Sequence, residues 1–105
     1  MDNNLHNRRI EFHEILKSLS SKSLYFQPPN NCKIDYPCII YEIDSIDSDF
    51  ADDRMYRNKR KYKVTLIDRD PDTELVDKLL NIPMCYFVTH FVVNNLHHYV
   101  FNIYY

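Results

Sequence analysis

Residues 61–72, read KYKVTLIDRDPD, constrain this chain more than any other stretch. Tyr62, Val64 and Leu66 alternate with Lys61, Lys63 and Thr65, the period-two pattern of a strand with one buried and one wet face. The second half has the chemistry of a helix start, because Asp70 can cap and Pro71 suits the first helical position. The spacing predicts a helix over about 71–81, with Leu75, Val76, Leu79 and Leu80 as its apolar stripe. Asp72 and Glu74 favour its positive N-terminal end, and Pro83 stops it. A long strand thus turns straight into a helix, and everything else has to pack around that corner.

The rest of the chain supplies the other layers. Leu5, Phe12, Ile15, Leu16 and Leu19 make one apolar stripe, which predicts a helix over about 3–20. Residues 27–31, QPPNN, form a loop, and Leu24–Tyr25–Phe26 before it is either a short edge strand or an extended connector. A strand is expected over 38–46, with Ile39, Tyr41 and Ile43 on one side and Glu42 and Asp44 on the other. Residues 47–60 then read as a polar connector leading into the strand of about 57–68. Met84 to Val93 and His98 to Tyr105 are β-branched and aromatic arms around Asn94–Asn95, which predicts a hairpin. The chain has no glycine, so turns with positive φ fall to Asn or Asp, with the Asn pairs at 30–31 and 94–95 as the expected places. At 105 residues the chain is expected to be a single domain, 1–105. The expected fold class is α+β, in the order α-β-β-α-β-β: a mostly antiparallel sheet with two helices packed on one face.

Nine Tyr and six Phe with no Trp suit partly buried faces and interfaces. The formal net charge of −2 does not describe a nucleic-acid binder as a whole. The N-terminus lacks the layout of a signal peptide, and no stretch reaches the ~20 apolar residues that span a membrane. Cys32, Cys38 and Cys85 are expected to be reduced thiols in a cytoplasmic product, mostly buried as small hydrophobes.

No catalytic, cofactor or metal site is expected. His97, His98 and the cysteines do not match a metal-binding spacing, and adjacent histidines on a strand point to opposite faces. The acidic run Glu42, Asp44, Asp47, Asp49, Asp52, Asp53 fits no calcium loop. Ser45, Ser48, Thr65 and the cysteines lack a nucleophile elbow or a neighbouring base. The basic run Arg54, Arg57, Lys59, Arg60, Lys61, Lys63, interleaved with Tyr56 and Tyr62, has the composition of a phosphate and base binder. The acidic run beside it opposes a polyanion, so the two strands are expected to pair with opposite signs. A surface with an acidic patch beside a basic one can dock head-to-tail on its own copy and close a ring. The expected contact is therefore Asp49, Asp52, Asp53, Arg54, Tyr56, Arg57, Lys59 and Arg60.

Several stretches resemble the tail-completion, or tail terminator, proteins of tailed bacteriophages. Residues 36–42, YPCIIYE, resemble that family's opening strand, and Asp52–Asp53 with Tyr56 resembles the loop that follows it. Residues 62–68, YKVTLID, look like its long strand, Asp70–Pro71–Asp72 like the start of its second helix, and residues 95–105, NLHHYVFNIYY, like its closing strand. The likeness spans about 36–105. Asn94 and the acidic run before Phe50 depart from the pattern. The resemblance implies a structural virion protein of the neck, not an enzyme. Its ring, typically a hexamer, caps the tail tube, ends tube growth and joins the tail to the head-side connector. Its partners would be itself, the tube protein and the connector or stopper, with DNA passing through the lumen as cargo. Assembly would occur in the host bacterial cytoplasm, away from any membrane. Two other readings remain beside it: another head–tail connector component such as an adaptor or stopper, and a small nucleic-acid-binding regulatory protein using residues 54–63.

Overall fold

The computed structural model describes residues 5–19, 23–31, 33–51 and 54–105, with residues 5–6, 46–51 and 54–59 described along the backbone alone. The elements are α1 (Leu5–Leu19), β1 (Ser23–Phe26), β2 (Cys38–Ala51), β3 (Arg54–Asp68), α2 (Leu75–Leu80), β4 (Cys85–Val93) and β5 (Leu96–Tyr104). They form one compact α+β domain around a five-stranded mixed sheet in the order β1-β2-β3-β5-β4. Only β1 and β2 run parallel; β2–β3, β3–β5 and β4–β5 are antiparallel. Leu24–Tyr25–Phe26 is thus an edge strand and not a connector.

Residues in register across neighbouring strands share a face, and this assembles the core. One row is Tyr41, Val64 and Phe101, and the next is Ile43, Tyr62 and Ile103. Tyr62, Val64 and Leu66 are fully buried, as their alternation predicts. Phe12 and Leu16 of α1 and Leu79 of α2 join these residues in one cluster. The Phe12 ring stacks on Tyr62 at 4.5 Å and on Tyr105 at 5.2 Å, and meets Tyr41 edge-on at 5.6 Å.

Four expectations are corrected. The expected order α-β-β-α-β-β lacks β1: the observed order is α-β-β-β-α-β-β, with β1 added parallel to β2. The second helix is shorter than 71–81, because Asp68 and Asp70 turn their carboxylates onto the backbone N–H groups of Asp70 and Asp72 at 3.0 and 2.9 Å. Such Asx turns compete with helix, so helical backbone begins only at Leu75, whose N–H donates to Thr73 Oγ1 at 3.3 Å. Residues 47–60 are not a connector: β2 and β3 stay paired out to Ala51 opposite Arg54. Ladder hydrogen bonds satisfy their backbone whatever the side chains. Among described residues, positive φ falls at Asn94 and Asn95 as expected, but at Gln27 and Met84 in place of Asn30–Asn31. Gln27 is held there by its N–H on the Tyr41 carbonyl at 3.0 Å and its Oε1 on the Ile43 N–H at 3.1 Å. The Asn pair suits the type I′ turn that β4 and β5 need.

Phe12→Ala removes the ring on which three tyrosines pack and is expected to cost about 3–5 kcal/mol. A urea titration showing a loss below ~1 kcal/mol would refute this placement of the core.

Candidate assembly surface

The β2–β3 hairpin outgrows the sheet. On the β2 side, pairing with β1 ends at Tyr41. On the β3 side, pairing with β5 ends at Lys61, and the Tyr105 backbone closes the last rung on Arg60 at 3.1 and 3.3 Å. Beyond these points, among the described residues, β2 and β3 pair only with each other, and the hairpin extends as an arm past the rest of the sheet, in a domain whose longest extent is 51 Å.

The register sets Asp49 opposite Arg57, Asp47 opposite Lys59 and Glu42 opposite Lys63, so acidic and basic positions face one another along the arm. At its base Lys61 Nζ lies 3.1 Å from Asp44 Oδ2, an ion pair that solvent holds to about 0–1 kcal/mol. Of the expected contact residues, Asp49, Arg54, Tyr56, Arg57 and Lys59 take places on the arm, and Arg60 stands at its base. Asp52 and Asp53 lie outside the described residues. Arg60 Nε is enclosed and has no hydrogen-bond partner among the described residues.

The polar groups under the helices hold the layers together. The Tyr41 hydroxyl lies 2.6 Å from His13 Nδ1 and accepts from Arg9 Nη1 at 3.4 Å. Burial pushes the Tyr41 phenol upward, and the Arg9 guanidinium partly opposes that. Tyr105 donates to Glu11 Oε1 at 3.2 Å. At the corner, Tyr99 donates to the Pro71 carbonyl at 3.0 Å, and burial, followed by Asp68, Asp70 and Asp72, raises its phenol. These bonds tie α1 and the 70–74 turn to the sheet.

His97 stacks on His90, with Nδ1 and Nε2 3.0 Å apart, whereas His98 stacks on Phe91 at 4.7 Å. The two neighbours therefore face opposite ways, as strand alternation requires. Among the described residues no group of three or more metal-ligating side chains converges, and no helix is long and apolar enough to cross a membrane.

One feature escaped the sequence reading. After Cys85, every residue of β4 is exposed, with Tyr86, Val88 and Val92 at 53, 49 and 51 % and Phe87, Phe91 and Val93 close behind. The signal was present, since Tyr86 to Val93 contains no Lys, Arg, Asp, Glu or Pro. What was missing was the strand order, which puts β4 at the rim. Beside its start a cleft of about 390 Å³ is lined by Ile15, Leu19, Ile82, Met84 and Tyr104, among others.

Burial pushes the Cys38 thiol up to about 12, with Asp68 adding to the effect, and the Cys85 thiol up to about 11. Both are free, while Cys32 lies outside the described residues. Because the folded values are raised, the stability these neutral thiols contribute is full below the ordinary thiol range near pH ~8.5 and declines as pH climbs toward the folded values. In a Cys32→Ser chain at about pH 8.5, iodoacetamide should label both thiols at least ~10-fold more slowly in the folded protein than in urea. Equal rates would show that the thiols are not shielded. Searches against protein-family models and against curated proteins find no match to this chain.

Proposed function

We propose that this chain is a structural protein of the neck of a tailed bacteriophage, forming a ring that caps the tail tube and joins it to the head-side connector. The observation that carries the reading is the two-signed arm. It extends beyond the sheet, and its acidic and basic strands lie side by side in register. An arm of this kind finds its complement on a copy of itself, and a head-to-tail contact repeated with the right rotation closes into a ring. A further support is the core, in which α1 and α2 contribute Phe12, Leu16 and Leu79 to the same apolar cluster as the strands. We read this as both helices packed on one face, the arrangement that the resemblance implies.

The work of such a protein is geometric. A ring seated on the growing end of the tube blocks further addition, and its other face is free to receive the connector or stopper. DNA passes through as cargo, and a chain of net charge −2 does not hold it as a basic lumen would. The opposed signs also weigh against the regulatory reading, because Arg57 and Lys59 stand across from Asp49 and Asp47.

Reversal of Asp52 and Asp53 to Lys is expected to abolish the ring. Native mass and negative-stain micrographs at low and high salt provide the readout. A ring of unchanged subunit number in the reversed chain, at both salts, eliminates the arm as its contact. Steep salt-dependent DNA binding by the unmodified chain, without rings, would favour the regulatory reading instead.

A further inference from the structure

We propose that β4 is a second self-association edge, at which two copies join β4 to β4 about a two-fold axis. β4 ends the sheet and pairs with β5 on one side only, so its outer row of backbone N–H and C=O groups is open to another strand. Its nine residues, CYFVTHFVV, include no Lys, Arg, Asp, Glu or Pro. These are the residues by which edge strands ordinarily repel other chains, and the one irregularity of β4 is a register shift between Phe87 and Thr89, which leaves Thr89–Val93 as a regular edge. The opposite edge is built differently. β1 is four residues long and half-buried, and the Arg9 guanidinium covers the Phe26 ring at 4.4 Å.

The area and the chemistry indicate a second copy as the occupant. Tyr86, Phe87, Val88, Phe91, Val92 and Val93 are each about half exposed. With roughly 150–250 Å² per aromatic side chain, these residues present on the order of 500–600 Å² per copy. A pair then has on the order of 1,000–1,200 Å² available, near the lower bound for a specific interface. Paired antiparallel with itself, β4 opposes no like charges. A polyanion finds no Lys or Arg along it. The contact is isologous and closes at two copies, whereas the same apolar edge left open would recruit strands without limit. The inference goes beyond the neck reading and does not rest on it, because the arm takes no part in the contact.

The Asp52→Lys, Asp53→Lys chain, in which the arm contact is reversed, isolates the β4 contact. Sedimentation equilibrium from about 1 to about 100 µM is expected to show a mass of two chains. Adding Val88→Lys and Val92→Lys is expected to weaken that association at least ~10-fold. Both sites face solvent, and a far-UV spectrum checks that the fold is retained. Amide exchange supplies a readout without β4 mutations: in the arm-reversed chain β4 amides should slow with concentration, while β1 amides should not. A single-chain mass at about 100 µM, growth past two chains, equal association with the lysines present, or concentration-independent β4 exchange would each overturn the proposal. Loss of the neck reading alone would leave the two-chain mass intact.

Discussion

The rest of the molecule depends on Phe12 lying against Tyr62. A helix the length of α1, 15 residues, is marginal on its own in water, so it persists because its apolar stripe has somewhere to go. Phe12 and Leu16 are fully buried, and the ring of Phe12 touches tyrosines from β2, β3 and the C-terminal residue at once. Burying tyrosines in this way creates a second requirement, because each hydroxyl needs a partner. α1 supplies two of them, His13 and Arg9 for Tyr41 and Glu11 for Tyr105. The same helix therefore provides both the apolar contact and the polar satisfaction, and neither works unless the other is in place.

That clamp sits over the inner halves of β2 and β3 and leaves their outer halves to each other. The division follows from side-chain chemistry. Where β3 carries Tyr62, Val64 and Leu66 it has β5 beside it and a core beneath it. Where it carries Arg57 and Lys59 it has only β2. Charged residues disfavour a covered face, so the sheet narrows to a hairpin at the point where the apolar alternation stops. The arm is a consequence of the pattern and needs no separate cause.

The strand half of the corner, residues 61–68, was legible because it rests on alternation, which survives any tertiary context. Strand faces, the Asn94–Asn95 turn and α1 were read for the same reason: each is a local pattern with a single physical solution. Two features were not legible. Asp70–Pro71 carried a helix-start signal, yet Asp68 and Asp70 spent their carboxylates on Asx turns, a choice between two local hydrogen-bond patterns that spacing alone does not settle. Residues 47–60 looked too charged for a strand, and charge does argue against burial. It does not argue against pairing, because the ladder hydrogen bonds satisfy the backbone whatever the side chains are. The opposed runs of charge were legible in the sequence, and the register sets them across from one another.

The exposure of β4 shows what a sequence leaves implicit. Its composition suits a strand buried on both faces, but the order β3-β5-β4 puts it at the rim. The exposed halves of six apolar side chains on this edge contribute nothing to the folding of a single chain, and their exposure carries the hazard of uncontrolled strand addition. The arm, by contrast, carries charged residues along both of its strands. The sheet thus places its charges on one projection and its apolar residues on one bare edge. If the two proposed contacts form, they differ in physics: attraction at the arm would weaken with salt, whereas apolar burial and backbone pairing at the edge would not be screened by it. Two such contacts would respond separately to conditions, so that one could form while the other is held open.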